Sequence, residues 1–124
     1  MQKQPQKIKI GALGEDAACD FLSKKGYNIL IRNFKARYGE LDIIATHANT
    51  LVFVEVKTRT SLLFGTPEEA ITPRKLHELI QTAQYYCILH PELPKLIRID
   101  VIGIMMDEDT EEIQRILHTE NITS

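Results

Sequence analysis

In the stretch LVFVEVKTRT (51–60), an otherwise apolar strand pattern admits Glu55 and Lys57, an acid and a base two positions apart. Residues two apart on a strand share a face, so carboxylate and ammonium would point the same way. Just upstream, GELDIIA (39–45) carries a second acidic pair at the same spacing, Glu40 and Asp42. Carboxylates held together out of water repel one another. A hard divalent cation such as Mg²⁺ relieves that repulsion by taking oxygen ligands. A lysine beside such a pair could touch a phosphate oxygen, orient an attacking water or stabilise transition-state charge.

Whether these groups meet depends on strand register. The polar THANT segment (46–50) reads as the loop of a hairpin between the two strands. If the loop is His47 to Thr50, Thr46 pairs with Leu51. Asp42 then stands opposite Glu55, and Glu40 opposite Lys57. A slip of one residue would put Asp42 opposite Val54 and move every charge to the wrong layer. Taken alone, the D…ExK spacing also fits a surface ion pair at a fraying strand end.

The elements that must position this hairpin follow from periodicity. A helix is predicted from about Gly11 to Lys25, with Leu13, Ala17, Ala18, Phe21 and Leu22 at helical spacing and Gly26 just past its end. YNILIRNF predicts a strand ahead of GELDIIA and LVFVEVKT. Thr72 and Pro73 form an N-cap and first-turn pair for a second helix, whose stripe is Leu76, Leu79, Ile80, Ala83 and Cys87. LIRIDVIGIMM is a further strand, and EIQRILH a last, edge strand. Helix, three-strand meander, helix, strand and edge strand make an α/β fold. The intervening helix implies a parallel crossover and therefore a mixed sheet.

A chain of 124 residues is a single domain over 1–124. Residues 1–9 are expected to be disordered, and DEDTEE (107–112) marks an acidic loop within 106–112. The composition, 44% hydrophobic and 26% charged, is that of a soluble globular protein. There is no apolar run near the ~20 residues that span a bilayer, and the N-terminal stretch lacks the apolar core of a secretory signal. Cys19 and Cys87 form no CxxC pair and read as free thiols of a cytoplasmic protein. Charge is uneven: residues 1–60 hold 10 Lys/Arg against 6 Asp/Glu, whereas 61–124 hold 5 against 11. The basic first half is compatible with a phosphate-bearing partner.

The chained motifs are more specific than any one of them. Gly14–Glu15 in the first helix, GELD (39–42), EVKTR (55–59) and RIDV (98–101) closely resemble the YraN family of bacterial proteins, over about residues 11 to 104. That family is assigned to the PD-(D/E)xK nuclease superfamily. The resemblance implies a restriction endonuclease-like core related to Holliday-junction resolvases. It implies Asp42 and Glu55 as ligands of Mg²⁺ or Mn²⁺, Lys57 as the catalytic lysine, and Glu15 as a further acid of the site. The expected activity is metal-dependent endonucleolytic cleavage of DNA, with branched or junction substrates and a homodimer suggested by the relatives. The alternative is a non-catalytic module that binds nucleic acid or protein on the same fold. The superfamily's proline before the aspartate is replaced here by Leu41. Helix geometry accommodates Glu15: at ~100° per residue it falls beside Leu22, at the edge of the apolar arc, while Asp16 points away.

Other residues could serve nucleic acid. Arg59 shares the strand face of Lys57 and offers a bidentate fork for phosphate. Arg37, with Arg32 and Lys35, could form a basic rim before the GELD strand, and Lys75, with Arg74, begins the second helix. Gln81 and Tyr85 resemble the QxxxY element of some RecB-like nucleases but lie opposite the apolar stripe, as a solvated pair would. Asp100, amid apolar neighbours, could pair with Arg98 or with a neighbouring strand, or support the site from behind, and a structural role is the favoured reading. The four histidines show no zinc spacing.

Overall fold

A computed structural model describes residues 6–123. Helix α1 (Gln6–Lys24) leads into strands β1 (Asn28–Ala36), β2 (Gly39–His47) and β3 (Thr50–Arg59). After a single 3₁₀ turn at Glu68–Ala70 comes helix α2 (Pro73–Leu89), followed by strands β4 (Leu96–Met106) and β5 (Ile113–Thr119). The five strands form one sheet in the order β1-β2-β3-β4-β5. β3 and β4 run parallel and every other neighbouring pair is antiparallel, so the sheet is mixed, as the α2 crossover requires. EIQRILH is indeed an edge strand, and Asp107–Glu112 is the loop before it. No described helix is long and apolar enough to cross a membrane.

The sheet buries both faces. On one, α1 sets Ala18 and Leu22 against Ile43, Ala45, Val52, Val54, Ile102 and Ile104. On the other, α2 sets Leu79, Ala83 and Tyr86 against Leu41, Ile44, Leu51, Phe53 and Ile99. Cys19 packs at the first core and Cys87 at the second, and both are free. Burial on both faces explains why LVFVEV has no polar alternation until the charged pair.

Helix α1 starts earlier than its sequence suggested. Its buried ridge is Ile10, Gly14, Ala18 and Leu22, one residue every four. Residues 6–9, expected to be disordered, belong to this helix, while 1–5 lie outside the described residues. Gly14 looks like a helix breaker but has a packing reason. A Cβ there would overlap the Thr58 hydroxyl of β3, so the missing side chain lets α1 lie directly on β3, next to Glu15. The helix ends as its glycine predicts. Gly26 has φ +90, Tyr27 N–H donates to Leu22 O at 3.0 Å and Gly26 N–H to Ser23 O at 3.0 Å, the paired bonds of a Schellman motif. At α2, Thr72 Oγ1 accepts from Lys75 N–H at 3.1 Å, with Pro73 in the first turn.

Candidate metal and phosphate site

The β2–β3 hairpin has the register that its loop suggested, with Thr46 paired to Leu51 and Ile43 to Val54. It zips one pair further than expected. His47 pairs with Thr50, leaving Ala48 and Asn49 as a two-residue turn with φ of 47 and 61, as a type I′ turn needs. At the other end the ladder stops at Ile43 and Val54. There the Asp42 side chain takes over: its Oδ2 accepts the Val56 N–H at 2.8 Å. Alternation also breaks at this point, because Leu41 packs under α2 while Ile43 packs under α1. The expected pairing of Glu40 with Lys57 is therefore absent. Glu40 pairs with Lys35 of β1 instead.

Glu15, Asp42, Glu55 and Lys57 line one open cavity of about 600 Å³, together with Arg59. Glu55 is 8% exposed. Its Oε2 is buried without a hydrogen-bond partner, and the nearest cation is Lys75 Nζ of α2, at 3.9 Å. Burial first, and Asp42 second, push the Glu55 carboxyl up to about 8, against the smaller pull of Lys75 and Lys57. Glu15 is raised as well, by burial, then Asp42, against Arg32, with Glu40 adding to the rise. The Asn33 amide, turned so that its nitrogen faces the acids, donates to both Glu15 oxygens at 3.1 and 3.2 Å and to Glu40 Oε1 at 3.3 Å.

Such a site fits a hard cation. Its donors are oxygens, one of them is buried with no hydrogen-bond partner, and burial together with neighbouring acids raises Glu55 and Glu15. Asp42 and Glu55 are the two residues that would hold the ion, in keeping with the one or two protein carboxylates that Mg²⁺ accepts.

A pH prediction follows for the metal-free protein. Glu55 has an ordinary value of 4.5 and a folded value of about 8, so between these the folded protein keeps a proton that the unfolded chain releases. The stability this gives is complete below about pH 4.5 and is lost as pH rises through about 8. Glu55→Gln, which mimics the protonated acid, should unfold on the order of a few kcal/mol later than wild type above that range. Below it the two should coincide. Urea unfolding across pH in chelator measures this.

The remaining candidates divide. Arg59 lines the cavity, and its Nε is buried with no hydrogen-bond partner. Lys75 faces Glu55. Arg37 stands apart, in the turn between β1 and β2, over the Tyr38 ring and outside the cavity. Arg32 is taken up by Asp16 at 2.8 Å and Glu15 at 3.7 Å, so it forms no free basic rim. Gln81 and Tyr85 do not line the cavity, and Tyr85 is exposed.

Among the described residues, one set of three potential metal ligands lies within 4.8 Å of one another: Asp100, His118 and Glu120. The histidine spacing gave no sign of it, because β4–β5 pairing brings His118 in from a distant strand. The set already has a cation. Arg98 Nε and Nη2 donate to the two Asp100 oxygens at 2.9 and 3.0 Å, as its proximity in sequence suggested. His118 Nε2 lies 2.7 Å from Asp100 Oδ2, and the Asn121 N–H donates to Oδ1 at 2.9 Å.

This layering, with one helix on each face of a mixed sheet and the acids and lysine on a central hairpin, is a restriction endonuclease-like core. The chain belongs to the uncharacterised protein family UPF0102, whose family model matches residues 14–104. It is 44% identical over 110 residues to a UPF0102 protein of Syntrophomonas wolfei, covering 89% of this chain and 96% of the relative. A UPF0102 protein of Caldanaerobacter subterraneus subsp. tengcongensis is 40% identical over 119 residues, or 96% and 98% of the two chains. One from Caldicellulosiruptor saccharolyticus is 47% identical over 105 residues, or 85% and 89%.

Proposed function

We propose that the chain is a metal-dependent endonuclease that hydrolyses phosphodiester bonds in DNA. The observation that carries this reading is the buried Glu55 Oε2, which has no hydrogen-bond partner and only Lys75 Nζ at 3.9 Å, in one cavity with Asp42 and Lys57. Asp42 and Glu55 would hold Mg²⁺ or Mn²⁺, which would supply a charge-neutralised site and a more acidic bound water. Glu15, kept above the usual carboxylate range by burial and by Asp42, is suited to take a proton from water as its oxygen attacks phosphorus. The Lys57 ammonium is free to contact a non-bridging oxygen, and Arg59 an adjacent phosphate. The bond to the leaving 3′ oxygen breaks as the new P–O bond forms, and that oxygen takes up a proton from solvent. The cavity's acids would repel a polyanion without a bound cation, which ties DNA binding to metal. The free thiols at Cys19 and Cys87 suit a reducing, cytoplasmic setting.

The test is a panel of junction, flap, single-stranded and linear duplex DNA incubated with Mn²⁺. Cleavage by the wild type that stops in chelator and in Glu55→Ala is the expected result. Metal-independent DNA binding with no cleavage of any substrate would replace this reading with a non-catalytic binding module.

A further inference from the structure

The segment after β3 exposes three large apolar side chains in a row: Leu62 at 61%, Leu63 at 80% and Phe64 at 80%. Runs of this kind are uncommon on a free surface and mark a contact site when they occur. The exposure is built into the backbone. Gly65 N–H donates to Leu62 O at 3.0 Å, Leu63 N–H donates to Ser61 Oγ at 3.4 Å, and Gly65 closes the turn at φ +93. Immediately after it Pro67 is buried against β4, close to Gly103, so the turn is held at its base while its apolar tip faces out.

The position of the tip decides what it meets. Ser61 and Phe64 line the same cavity as Asp42, Glu55, Lys57 and Arg59. An exposed aromatic ring beside Lys57 and Arg59, in a cavity whose acids a bound cation would neutralise, matches the way proteins grip single strands, with positive charge on the backbone and a ring on the base. We propose that Phe64, flanked by Leu62 and Leu63, stacks on an unpaired base of the DNA strand whose phosphate occupies the cavity. This rests on the nuclease reading of that cavity and adds its substrate class. In an unbroken duplex the bases are stacked inside and the tip has nothing to stack on. At a strand end, flap or junction a base is free. A second copy of the chain seated on the tip would instead cover the cavity wall, so it competes with substrate.

The test measures binding with Ca²⁺ in place of Mg²⁺, using single-stranded and duplex DNA of one sequence carrying 2-aminopurine. Wild type should change the fluorescence of the single strand on binding. Phe64→Ala should lose that change and bind the single strand about tenfold more weakly, with duplex affinity moved by less than about twofold. Thermal unfolding of Phe64→Ala should match wild type, because the ring is outside the core. Equal binding of both DNAs by Phe64→Ala and wild type would overturn the proposal. So would a wild-type dimer that Phe64→Ala converts to monomer with DNA binding unchanged. Cleavage by the wild type without any dependence on Phe64 sinks this inference and leaves the nuclease reading standing. Failure to bind or cleave any DNA removes both.

Discussion

Lys57→Ala should slow DNA cleavage by about a hundred- to a thousandfold, the loss typical of removing one preorganised donor from a developing charge. Lys57 is suited to this effect because it is otherwise unemployed. Among the described residues it makes no hydrogen bond or ion pair, and its electrostatic influence is felt at Glu55. It is partly exposed near the end of strand β3 and belongs to neither core, so its removal leaves both intact. The variant should therefore unfold within about 0.5 kcal/mol of wild type, as surface substitutions do. Single-turnover cleavage under Mn²⁺, beside an unfolding curve, checks both halves. Cleavage by Lys57→Ala at the wild-type rate would remove the lysine from the mechanism.

Asp100→Ala should have the largest effect on stability. The Asp100 carboxylate is fully buried. Burial alone would push its carboxyl up, but the bonds from His118, Arg98 and the Asn121 N–H outweigh it and hold the acid below its ordinary value. Truncating it leaves the Arg98 guanidinium without its main partner and frees one face of His118. Breaking a buried pair from one side costs about 3–5 kcal/mol. Urea unfolding at neutral pH measures the loss. The wild type should also lose this contribution on acidification, as pH falls through the lowered value of Asp100.

Much of this was legible in the sequence, and the exceptions have physical causes. Hairpin register could be read because THANT is the one polar break between two apolar strands, and a slip would have buried charge. The Thr72–Pro73 start and the Gly26 stop of the helices rest on local backbone chemistry, so they too were visible. The early start of α1 was missed because the stretch ahead of Gly11 was expected to be disordered, and the role of Gly14 as a contact with β3 is one that only the tertiary structure reveals. Glu40 was misplaced because strict alternation was assumed through Asp42, where the strand changes which face it presents. Arg98 and Asp100 are two residues apart and could be paired by inspection. His118 arrives 18 residues later on another strand, and no spacing rule anticipates it. Lys75 was read as a phosphate contact from its place at a helix start, and the structure sets it against Glu55.

The clasp between Asp42 Oδ2 and the Val56 amide has a consequence for how an ion could be gripped. One of the two aspartate oxygens is already engaged in closing the hairpin, which leaves the other as the freer ligand for a cation. The protein thus offers a half-built shell, rigid but short of oxygens. Such a centre is expected to remain loosely filled at rest and to tighten when a nucleic-acid strand brings oxygens of its own, so that substrate arrival itself completes the catalyst.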